Sequence, residues 1–144
     1  MGKNYQNDVA IRVRTSAIPT PISLASFEAT LASDDAVWLE WETANELENL
    51  GFNLYRAKTA VGARQHLNGT LIPTQNPGSA MGATYSFVDQ DVEANATYHY
   101  WLEDVGTTGL TTLHGPRTVT MPLYGRLRLI RPRLAPRPVF DRLR

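Results

Sequence analysis

The chain has 144 residues, about two-fifths of them apolar and a fifth charged, and it contains no cysteine. That length holds one ordinary domain, and the composition is that of a globular protein rather than a disordered one. Disulfides, thiolate metal sites and cysteine nucleophiles are excluded, and no apolar run approaches the roughly 18 to 20 residues that span a bilayer. The formal net charge of zero hides an asymmetry. From Arg126 onward there are seven arginines and one acid, Asp141, so residues 1–125 hold seven basic against thirteen acidic residues, a net −6. An acidic body carrying a basic tail has to be explained by any functional reading.

Read in chain order, Met1-Gly-Lys-Asn-Tyr leads into polar residues with no apolar segment behind it, so no signal peptide is expected. In Asn7–Arg14 the side chains of Val9, Ile11 and Val13 alternate with Ala10, Arg12 and Arg14, a period of two that predicts a short strand. Pro19 and Pro21 then break any ladder. ISLASFEATLAS, from Ile22, predicts a strand ending at Ser33-Asp34-Asp35. In the next, Ala36 to Thr43, Val37, Leu39 and Trp41 alternate with Trp38, Glu40 and Glu42. ANELENLG reads as a connection with one turn of helix. Gly51 to Ala57 is the third strand, with Phe52 and Leu54 on one face, and Leu67 to Pro73 the fourth. Thr74 to Gly82 is rich in Pro, Gly and Ser and reads as loop.

Thr84 to Val88 and Thr97 to Val105 are the next two strands, with Tyr98, Tyr100 and Leu102 on one side of the second. Gly106-Thr-Thr-Gly109 reads as a hairpin turn in which both glycines can supply positive φ. The last strand runs from about Leu110 to Met121, with a bulge or edge feature at Gly115-Pro116. Seven short strands separated by turn signals predict an all-β, immunoglobulin-like antiparallel sandwich over residues 20–122. Residues 1–19 add an N-terminal strand and linker, and residues 123–144 form an extended C-terminal arm. The expected core is Val37, Leu39, Trp41, Phe52, Leu54, Phe87, Tyr98, Tyr100 and Leu102.

Four motifs in order resemble a fibronectin type III domain. Val37-Trp38-Leu39-Glu40-Trp41 resembles its second strand, with Trp41 in the place of the core tryptophan. Gly51-Phe52-Asn53-Leu54-Tyr55-Arg56 resembles its third strand, in the variant common in bacterial extracellular proteins. Tyr85-Ser86-Phe87-Val88-Asp89 resembles the strand before the corner, and Ala94 to Tyr100 its tyrosine corner, with Tyr98 as the corner tyrosine. The wider run is similar to modules near the C-termini of secreted or surface-attached bacterial proteins. The resemblance implies an extracellular or cell-surface location, and Asn7–Arg14 as the last strand of a preceding domain. It says nothing of the arginine tail.

No catalytic, cofactor or metal constellation emerges. His66, His99 and His114 lie on different predicted strands without ligand spacing. Asp89, Asp91 and Glu93 cluster oxygens but lack the glycine and distant bidentate acid of a calcium loop, and Glu40, Glu42, Glu46 and Glu48, which could suggest paired carboxylates for glycoside hydrolysis, read instead as a solvated acidic face. Candidate binding residues are the outward aromatics Trp38, Tyr55 and Trp101, which form an exposed patch unless basic stems cover them. In the tail, Arg126, Leu127, Arg128, Leu129, Ile130, Arg131 and Arg133 alternate charge with apolar character, which suits an assembly arm that docks on protein. Docking on a neighbouring copy, giving an oligomer or filament, is therefore expected ahead of docking on the chain's own body, with carbohydrate bound by the aromatics or an anionic surface bound by the tail as the alternatives. Nucleic acid is disfavoured, because no aromatic interleaves the arginines.

Overall fold

The computed structural model describes residues 23–123. The expected strand at Asn7–Arg14 and the arm residues Arg126, Leu127, Arg128, Leu129, Ile130, Arg131 and Arg133 lie outside the described residues. Eight strands are described: β1 (Leu24–Ser33), β2 (Ala36–Thr43), β3 (Asn49–Ala57), β4 (Gln65–His66), β5 (Ile72–Pro73), β6 (Thr84–Asp89), β7 (Thr97–Gly106) and β8 (Thr111–Thr120). They form two antiparallel sheets, one in the order β1-β2-β6 and one in the order β4-β3-β7-β8 with β5 also pairing β3. The fourth expected strand is shortened: of Leu67 to Pro73 only Ile72–Pro73 is strand, and residues 67–71 form a loop between β4 and β5, pinned by Asn68. Its amide group donates to the Phe52 carbonyl and its oxygen accepts from the Leu54 N–H at 2.6 Å, replacing a ladder by side-chain bonds. The expected helical turn near Glu46 is absent too, since the carboxylate there is drawn into the interior.

Alternation decides the register. Val37, Leu39 and Trp41 are buried while Glu40 and Glu42 face solvent, and each inward residue of β2 pairs with an inward residue of β1, namely Leu31, Ala29 and Phe27. The Trp41 ring stacks on Tyr85 at 5.2 Å and meets Phe52 edge-on at 5.5 Å, joining the two sheets. Tyr85 was absent from the expected core, although its alternation with Thr84 and Ser86 points it inward; Phe87 is only half-buried. The corner is formed as expected, with the Glu93 N–H donating to the Tyr98 hydroxyl at 2.9 Å.

Between β7 and β8 only Gly109 of the two hairpin glycines takes positive φ, at 81°. The Gly115-Pro116 feature is a register shift opposite Trp101. Gly82 closes the loop before β6 against β2, where a Cβ would lie 1.6 Å from the Thr43 carbonyl oxygen. The turn after β1, the loop between β3 and β4, the corner and the end of β8 all lie at one pole. The connections entering β3, β6 and β8 lie at the other.

Candidate functional site

The outer face of the four-strand path carries the densest set of polar and aromatic side chains. β3 and β7 place Tyr55 directly opposite Trp101 and Asn53 opposite Glu103, and β4 sets His66 beside Tyr55. Glu103 Oε1 accepts from the Tyr55 hydroxyl and from Asn53 Nδ2, each at 3.0 Å. His66 stacks on Tyr55 at 5.1 Å and bonds Asn53 Oδ1 at 3.2 Å. Burial first, and then the Glu103 carboxylate it donates to, raise the Tyr55 pKa above its ordinary value, so this phenol stays a donor. Arg64 arrives from the loop after β3 and lays its guanidinium 4.6 Å from the centre of the Trp101 ring. Tyr55, Gly62, Arg64, Glu103 and Leu113 line an open hollow of about 460 Å³.

The three expected aromatics do not form one open patch. Trp101 faces away from the core as alternation demands, yet it is only 3% exposed, because Arg64 covers it. Tyr55 is half-buried at the rim of the hollow. Trp38 lies on the other sheet, 38% exposed, with its indole N–H directed at Glu40. Of the two readings open for these residues, cover by a basic stem holds for Trp101, while Tyr55 forms a rim and Trp38 stays open. Sequence reasoning missed Arg64, Glu103 and Asn53, although Asn53 and Glu103 share the alternation phase of Tyr55 and Trp101.

Two buried carboxylates anchor the poles. At the pole where β8 ends, Arg56 Nη1 donates to both oxygens of Asp89 at 3.0 and 2.8 Å, and Nη2 reaches Asp91 at 3.2 Å and Gln65 at 2.8 Å. Burial works against the Arg56 charge, but Asp89 and Asp91 more than offset it and its pKa is raised. The Tyr100 hydroxyl also donates to Asp89, at 3.0 Å. Glu93 is taken by Lys58 at 2.8 Å. The oxygens considered for calcium are therefore already engaged by cations and backbone. At the opposite pole Glu46 accepts from Thr43 Oγ1 at 3.2 Å, the Asn76 N–H at 2.6 Å and the Tyr85 hydroxyl. Burial, followed by the bond to Glu46, pushes the Tyr85 pKa up to about 12. Asp104 on β7 is buried and bonds His114 at 2.6 Å; burial raises its pKa and His114 opposes the rise.

These features define an immunoglobulin-like sandwich of two antiparallel sheets. The division into β1-β2-β6 and β4-β3-β7-β8, with a corner tyrosine at the head of β7's inward row, gives it a fibronectin type III-like fold. No family model matches the chain, and no curated protein matches it in sequence. Among solved structures it is similar to one described as a myokine structure, with a TM-score of 0.53 at 14% identity, over 72% of this chain and 99% of that one. It also matches a Fn3-like protein from Clostridium thermocellum, with a TM-score of 0.49 at 16% identity, over 71% of this chain and 94% of that one. At such identities the likeness is one of fold. No helix among the described residues is long and apolar enough to cross a membrane.

Proposed function

We propose that this chain is a non-catalytic interaction module of an extracellular or cell-surface assembly, joined to neighbouring copies through its terminal arms. In this reading residues 20–122 form the module and 123–144 the arm that docks on protein. The observation that carries it is the charge division: seven arginines and one acid from Arg126 onward, against a body of net −6. Each copy thereby supplies both an attractive surface and the segment that fits it, and a head-to-tail contact repeated from copy to copy builds a ring or a filament. The fold supports the reading, since its ordered polar groups are spent on one another at the poles and on the β3–β7 face. Light scattering on the full chain and on one ending at Leu123 tests it: the full chain gives the larger assembly, weakened by salt. Equal monomeric masses for the two would remove the intermolecular contact.

A second reading has its own observation. The hollow beside Tyr55, with Glu103 and Arg64 on its walls, offers hydrogen-bonding groups next to a ring, which suits a carbohydrate or other polyol. A glycan array probed with the full chain and with Tyr55→Ala tests this, and binding that is indifferent to Tyr55 would place any sugar elsewhere.

A further inference from the structure

β1 is an outer strand of its sheet, paired on one side with β2, and among the described residues no strand pairs its other side. The Phe27 carbonyl on β1 accepts a hydrogen bond from Arg117 Nε of β8, so its backbone oxygen points out of the sheet edge. Backbone groups of an antiparallel strand alternate between its two sides. The N–H and C=O groups of Ala29 and Leu31, in phase with Phe27, therefore present themselves along the same edge.

The side chains beside this edge are unfinished in two ways. Leu31 shares the inward phase of Phe27 and Ala29 and pairs with Val37, yet it is 50% exposed. On the outer face Glu28 lies directly across from Glu40, with Glu42 two residues along, and like charges in opposed positions repel. Among the described residues the one cation at this face is Arg117, whose Nη2 stands 3.7 Å from Glu28. Trp38 and Val88, both over a third exposed, continue the face across β2 and β6.

An occupant that completes this edge needs a backbone that can pair, apolar groups on the inner side and cations on the outer side. Arg126-Leu127-Arg128-Leu129 has that pattern at the period of two that a strand imposes. The described chain ends at Leu123, and Pro122 bonds the corner at Asn95, at the same pole as the Leu31 end of β1. Ten residues of fully extended chain reach about 33 Å, enough to bring this segment to the edge of its own or an adjoining copy. Pro132 has no backbone donor and limits the pairing on the far side.

We propose that Arg126–Leu129 adds as a short edge strand beside Ala29–Leu31 of β1. Leu127 and Leu129 cover Leu31, and Arg126 and Arg128 lie beside Glu28 and Glu40. The proposal rests on the arm-docking reading above and names its acceptor.

The test is a charge swap in the full-length chain. It is read by amide hydrogen exchange at Ala29 and Leu31 and by mass in light scattering, with melting curves to confirm folding. R126E/R128E and E28K/E40K should each speed exchange at both amides about tenfold or more and lower the assembly mass, and the fourfold combination should restore both. If R126E/R128E lowers the mass while E28K/E40K changes neither readout, the arm docks elsewhere and the acceptor named here is wrong. If both amides stay slow in R126E/R128E, another segment such as Val9–Val13 occupies the edge, which also overturns it. If no variant alters mass or exchange, the arm-docking reading fails and this inference fails with it.

Discussion

The two poles of the sandwich solve one problem in different ways. Each buries a carboxylate that accepts a tyrosine hydroxyl: Asp89 takes Tyr100, and Glu46 takes Tyr85. At the Asp89 pole an arginine supplies a full counter-charge and ties β3 to the corner. At the Glu46 pole the donors among the described residues are neutral, Thr43 and the Asn76 N–H beside the tyrosine, and they tie the β2–β3 connection to the loop before β6. The difference teaches that burial of an acid demands satisfied oxygens, whereas a counter-ion is one means among several. It also separates the cost of breaking each site. Removing the partner of a buried ion leaves a bare charge, but removing one neutral donor leaves the others in place.

Of the changes at the poles, Arg56→Ala should give the largest loss, about 3–5 kcal/mol, because Asp89 is then buried without its cation. Asp89→Asn in the same background should recover part of it, and urea unfolding of the two variants measures both. A loss below about 1 kcal/mol would show that water can replace the guanidinium, and the contrast between the poles would disappear. Glu46→Gln should cost less, about 1–3 kcal/mol, since the amide keeps one accepting oxygen for the Tyr85 hydroxyl or the Asn76 N–H but not its full set of bonds. A cost equal to that of Arg56→Ala would mean that the neutral donors hold a charge as tightly as a cation does.

Alkaline pH probes both poles at once. Burial raises the Tyr85 pKa to about 12, and burial followed by the Asp89 charge raises that of Tyr100, so both phenols stay protonated in the folded state where the unfolded chain loses those protons. The folded state then binds more protons than the unfolded one, and stability falls as pH climbs past about 10. Melting temperature followed from pH 9 to pH 12 should drop steadily, and Tyr85→Phe should flatten the drop. A flat profile in the unaltered chain would contradict the burial of both hydroxyls.

The smallest effect belongs to a residue on the open outer face of β2. Trp38→Ala should change stability by less than about 1 kcal/mol, while Trp41→Ala costs about 3–5 kcal/mol, because only the second ring fills the space between the sheets. Equal losses would mean that β2 is displaced by one residue, which turns every side chain to the opposite face.

Period-two alternation determined much of this protein from sequence alone. It placed Trp41 inside and Trp38 outside, and put Tyr55 and Trp101 on the outer face of β3 and β7, while the family resemblance marked the corner tyrosine and the glycines marked the turn at Gly109. The same alternation carries the inward phase of Tyr85 in Thr84-Tyr85-Ser86-Phe87. These are local properties, because a strand turns each side chain by a fixed amount whatever it packs against. Partnership is not local. Arg56 meets Asp89 across 33 positions, Glu46 meets Tyr85 across 39, and Arg64 reaches Trp101 from a loop with no periodicity of its own. Which charge is paired, which aromatic is covered and which strand edge has no strand paired to it among the described residues depend on how the two sheets and their loops come together, and only the tertiary structure decided them.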